Sequence, residues 1–182
     1  MNSALVVIDV QNEYVTGGLP IVHPRVDGAL EQIGRSIEAA NERGIPVVLV
    51  RHTETDDEST IFVQGTDAWQ LHESVSARPH DVVIDKQWPG SFTDTTLGEW
   101  LSARDIGALT IVGFMTHMCV DTTTRQANHL GLDVTVLTDA TGTIDVGDLQ
   151  AELVHQVELG VLASGFATLA TTDEWVASVR GE

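Results

Sequence analysis

The sequence has a single cysteine, Cys119. One cysteine excludes an intramolecular disulfide, and with it cysteine-based zinc spacings and C-x-x-C redox pairs. Basic residues are scarce as well: 9 against 27 acidic ones, for a formal net charge of −18. Nucleic acid and anionic membranes call for clustered Lys and Arg, so neither is an expected partner. No run of about 18 apolar residues occurs, so no membrane span is expected. The opening MNSALVVIDVQNEY has no basic leader, and its apolar run is too short for a signal peptide. A cytoplasmic protein is therefore the expectation. Two phosphate-binding signatures are missing too: there is no G-x-G-x-x-G after the first apolar run and no G-x-x-x-x-G-K-[ST].

What is present is an ordinary globular composition. The chain has 182 residues, 42% of them apolar. That is enough for one domain with a sizeable core, taken here as residues 1–182. Short apolar runs alternate with amphipathic stretches. Strands are expected at Ala4–Val10, Pro46–Arg51, Val82–Asp85, Ala108–Phe114, Asp133–Ala140 and Ala167–Thr171. Helices are expected at Gly28–Gly44, Asp94–Asp105, Cys119–Gly131 and from about Asp148 to Ser164. A last helix opens at a Thr171-x-x-Glu174 capping box. The polar, irregular stretch from His52 to about Asp81 reads as a lid or an interface. This alternation predicts an α/β fold: a doubly wound three-layer sandwich on a six-stranded, mostly parallel sheet.

In such sheets the ligand sits at the carboxyl ends of the strands. Asp9 lies inside an apolar run, where an unpaired carboxylate costs several kcal/mol, so it needs a partner or a task. Lys86 follows the third strand and is its natural counter-ion. Cys119 falls at the first turn of a helix, where the helix N-terminus and a nearby Lys favour thiolate. A close Asp9 acts in the opposite sense and holds the thiol protonated. A thiol, a carboxylate and an ammonium converging at one sheet end suit nucleophilic attack on a carbonyl. The bland reading of each is a core cysteine, a turn-capping aspartate and a snorkelling lysine.

VVIDVQNEY, DKQWPGSF and VGFMTHMCVDTTTRQANHLGLDVTVLTDAT resemble, in order and across nearly the whole chain, the isochorismatase-like cysteine hydrolase superfamily. The last segment carries most of the resemblance: G-[apolar]-x-T-x-x-C-V, then T-x-R-x-A. The resemblance implies a catalytic triad of Asp9, Lys86 and Cys119. It implies a cis peptide between Phe114 and Met115, and an oxyanion hole from the N–H groups of Met115 and Cys119. It also implies hydrolysis of a small amide, carbamoyl, ureido or cyclic-imide compound through a thioester. No cofactor and a homo-oligomer, dimer or tetramer, go with it.

Two departures narrow the class. Nicotinamidases of the superfamily carry an Asp-x-His metal motif after the second strand, where this chain reads VRHTETDD, so neither a metal nor that activity is expected. Members that cleave a vinyl ether lack the nucleophilic cysteine, and Cys119 argues against that reaction. Gln11, Tyr14, His52, Trp88, Ser91, Phe92 and His117 are the candidate substrate contacts. His129 and His155 read as structural. The competing classes are a dinucleotide-binding module, an inactive or binding member of the same fold, and a thiol redox sensor.

Overall fold

The structure, a computed structural model, describes residues 2–56 and 58–181. Six strands form one sheet: β1 (Asn2–Ile8), β2 (Val47–His52), β3 (Val82–Lys86), β4 (Ile106–Phe114), β5 (Asp133–Gly142) and β6 (Thr168–Ala170). Their order is β3-β2-β1-β4-β5-β6, and every pairing is parallel. Helices α1 (Val26–Glu42), α2 (Glu73–Ser76) and α6 (Thr172–Arg180) pack on one face of the sheet, and α3 (Leu97–Ser102), α4 (Asp121–His129) and α5 (Ala151–Ala163) on the other.

β1 explains the layering. It is flanked by strands on both sides and covered on both faces, so it is apolar without interruption from Ala4 to Ile8. Successive side chains point to opposite faces. Leu5 and Val7 join one core with Ile33 and Ile37 of α1 and Trp175 of α6. Ala4, Val6 and Ile8 join the other, with Leu97 of α3, Ala127 of α4 and Leu159 of α5. Helix ends follow local rules. Gly44, just past α1, is left-handed at φ 66°. Thr171 and Glu174 form the expected capping box on α6.

The chain first winds from β1 through β2 to β3, then crosses back over the sheet to place β4 beside β1. The order reverses between β1 and β4, so the crevice between their carboxyl ends is the switch point. Gly113 shapes that end. Its φ is 111°, and a Cβ there would lie 2.1 Å from the Ile8 carbonyl oxygen. Only glycine lets the β1 and β4 backbones come this close, where Ile8 pairs with Gly113.

Several boundaries differ from the sequence reading, and three matter. β1 stops at Ile8, so Asp9 lies beyond the strand, at φ 52°. β3 includes Lys86 as its last residue. Cys119 precedes α4, in a turn of π-helix spanning Thr116–Val120. Among the described residues no helix is long and apolar enough to cross a membrane.

Candidate active site

Asp9 follows directly from the central strand. Its backbone N–H donates to the Val50 carbonyl at 2.9 Å, fixing it to the end of β2. Aspartate tolerates the left-handed backbone better than most residues. The side chain is fully buried. Lys86, the only lysine in the sequence, is equally enclosed. Its Nζ sits 2.7 Å from Asp9 Oδ2, a close, fully buried ion pair. The same ammonium donates to the Trp88 carbonyl at 3.1 Å and to Cys119 Sγ at 3.3 Å, and lies 3.4 Å from His52 Nδ1. Among the described residues no backbone N–H donates to the Asp9 carboxylate, so Lys86 is what balances it.

Cys119 is buried at the other side of this ammonium. Burial first, and then the Asp9 carboxylate, push its thiol well above the ordinary range; Lys86 opposes them only in part. The resting group is therefore a thiol. Of the two opposed influences read from the sequence, the one from Asp9 prevails, because Cys119 stands in the π-turn rather than in the first turn of α4 and is buried beside the carboxylate. For Lys86, burial works to lower the pKa, but Asp9 and Cys119 outweigh it and raise it, so the amine stays charged. His52 is lowered by burial and by the Lys86 ammonium, which makes it a neutral imidazole.

The Phe114–Met115 peptide is cis. The Met115 carbonyl accepts from the Met118 and Val120 N–H groups, both at 3.1 Å, which closes the π-turn. The Met115 N–H is taken up by no backbone carbonyl among the described residues.

Over Cys119 lies a cavity of about 520 Å³. Of the residues expected to contact substrate, Tyr14, His52 and Trp88 line it. Gln11 does not. It is fully buried, and its amide is occupied: Nε2 donates to the His52 and Trp69 carbonyls at 2.9 and 2.7 Å, and Oε1 accepts from the His52 N–H at 2.9 Å. Ser91 is also out of reach. Its N–H and hydroxyl meet Thr123 Oγ1 at 3.0 and 2.9 Å, tying the segment after β3 to α4. Phe92 packs into the core on that face. His117 hydrogen-bonds Thr143 Oγ1 and lines a separate apolar groove with Leu149, Leu153 and Val157.

Leu19, Glu54, Ile61, Phe62 and Met118 line the cavity without having been singled out. Phe62 is buried at φ 51°; it packs edge-on to His52 and tilted against Tyr14, at 5.1 and 5.2 Å between ring centroids. The available signal was an apolar Ile61–Phe62 pair set in a polar stretch. Part of the suspected lid, Glu54, Thr55, Ile61 and Phe62, is therefore cavity wall.

A family model described as the Isochorismatase domain matches residues 3–174. The chain belongs to the isochorismatase family. A Burkholderia xenovorans crystal structure assigned to the isochorismatases superposes with a TM-score of 0.95 at 45% identity, covering 98% of this chain and 88% of that one. The secreted isochorismatase effector Isc1 of Verticillium dahliae is 34% identical over 95% of this chain and 90% of its own length. The ureidoacrylate amidohydrolase RutB of Variovorax paradoxus is 26% identical, over 97% of this chain and 81% of its own. Family membership accounts for the fold and leaves the reaction to the site's chemistry.

Proposed function

We propose that the protein is a cysteine-dependent hydrolase of a small C–N compound of the amide, carbamoyl, ureido or cyclic-imide type. The observation that carries this is the single ammonium of Lys86, 2.7 Å from Asp9 and 3.3 Å from Cys119, with Cys119 lining a cavity. A relative that is an amidohydrolase supports the same class. The cavity volume suits a small-molecule substrate.

In this reading Cys119 Sγ attacks the substrate carbonyl carbon and its proton passes to Asp9. The S–C bond forms, and the carbonyl oxygen becomes an oxyanion facing the Met115 and Cys119 N–H groups. As the C–N bond breaks, Asp9 returns the proton to the leaving nitrogen, leaving a thioester. Water then attacks the thioester and gives a proton to Asp9. The acid leaves, and the proton goes back to Cys119. Lys86 pairs with the buried Asp9 carboxylate and offsets the negative charge that develops on sulfur.

The test is ammonia or amine release from a panel of amides, carbamoyl compounds and cyclic imides, with mass spectrometry of the quenched enzyme. A thioester on Cys119 is expected, and Cys119→Ala should lower turnover by about 10⁴-fold or more with the fold intact. Turnover that survives in Cys119→Ala would overturn the reading.

A further inference from the structure

Resting on the hydrolase reading, we propose that the cavity selects amides whose remote group is neutral or cationic, that it refuses anionic ones, and that Glu54 reads that charge. The argument starts from what the cavity lacks. Recognition of a carboxylate uses Arg or Lys, bidentate where possible. Among the described residues no Arg lines this cavity, and the one side chain of fixed charge that does is Glu54. Lys86 is near but committed, enclosed by Asp9, Cys119, His52 and the Trp88 carbonyl. Arg51, beside His52 in sequence, pairs with Asp85 at 2.7 Å and lies over the Trp69 ring at 3.8 Å. His52 is neutral, so it adds no positive charge.

What the cavity has points the same way. Tyr14, Phe62 and Trp88 offer aromatic surface that suits an apolar group or a cation. Glu54 is positioned rather than loose. Its N–H donates to the Phe62 carbonyl at 3.2 Å, and its Oε1 accepts from the Thr55 and Asp56 N–H groups at 2.8 and 3.3 Å. It adds to the larger effect of Asp9 in opposing burial and Lys86 at the His52 ring. The net charge of −18 adds a long-range repulsion of anions.

The sole cysteine gives a readout that needs no turnover. Cys119 is labelled with three methanethiosulfonates of similar size: 2-aminoethyl (cationic), methyl (neutral) and 2-sulfonatoethyl (anionic). In each case the sulfur attacks the reagent's sulfenyl sulfur, a disulfide forms and methanesulfinate leaves. Each rate is divided by that of a small neutral thiol. The expected cation-to-anion ratio is about tenfold or more at low salt and shrinks as salt rises. Glu54→Gln keeps an acceptor oxygen for Thr55 and Asp56, and should cut the ratio about two- to threefold. Glu54→Arg should shift the preference toward the anion. An anion that labels as fast as the cation overturns the proposal, and so does no labelling at all, which would show that the cavity does not give onto the thiol. A ratio unchanged in Glu54→Gln overturns the role of Glu54. Because labelling is independent of hydrolysis, a charge preference with no amide turned over counts against the hydrolase reading alone.

Discussion

Asp9 and Glu13 are both buried carboxylates in one short segment after β1, and the protein holds them in opposite ways. Glu13 is saturated. One oxygen accepts the Gly18 N–H, the other the Phe62 N–H at 3.2 Å, and its own N–H donates to the Ala68 carbonyl at 2.7 Å. The turn after it depends on this: a Cβ at Gly18 would lie 2.9 Å from Glu13 Oε1. Asp9 is matched instead by a side-chain charge: Lys86 Nζ lies 2.7 Å from its Oδ2 and 3.3 Å from Cys119 Sγ, and among the described residues no backbone N–H donates to it. A buried carboxylate that serves structure is satisfied by fixed backbone donors. One that is to accept a proton is balanced by a cation that also reaches the proton's donor. Lys86 meets that need.

The sharpest way to break the contrast is to remove each charge in turn. Asp9→Asn removes the base and should lower kcat/KM by about 10²–10⁴-fold in the hydrolysis assay. Lys86→Met strands Asp9 and should cost about 3–5 kcal/mol in a denaturant melt. The double variant Asp9→Asn/Lys86→Met should recover part of that loss while remaining inactive, because no buried charge is then left unpaired. Glu13→Gln sets an amide NH₂ against one of two backbone donors. It should cost about 1–3 kcal/mol of stability, with turnover per folded molecule changed by less than about threefold. A Glu13→Gln variant that folds normally yet loses turnover as Asp9→Asn does would erase the distinction.

How much of this was legible in the sequence follows from which signals are local. β1 announces itself as an uninterrupted apolar run, and α6 by its capping box. Asp9 is conspicuous because charge is expensive in such a run, and Lys86 and Cys119 stand out as single residues of their kind at strand ends. Gln11 and Ser91 looked equally well placed, yet their polar groups are taken up by His52, Trp69 and Thr123, partners 32–58 residues away in sequence. Nearness to a strand end says nothing about that. Phe62 was hidden for the complementary reason. Its surroundings are polar, and only the fold of the loop onto Tyr14 and His52 makes it part of a wall. The thiol's state was also out of reach, because it depends on which of Lys86 and Asp9 prevails once burial is added.

That last point carries the central claim, a protonated Cys119 next to a carboxylate ready to take its proton. The direct measurement is the pH dependence of iodoacetamide alkylation of Cys119, in the wild-type protein and in Asp9→Asn. Removing the carboxylate removes a cause that raises the thiol pKa, while Lys86 remains to lower it. The wild type should therefore label with an apparent pKa above the free-thiol value of about 8.5, and Asp9→Asn should move that pKa down and speed labelling at pH 8. A wild-type apparent pKa below the free value, unmoved by Asp9→Asn, would contradict the account.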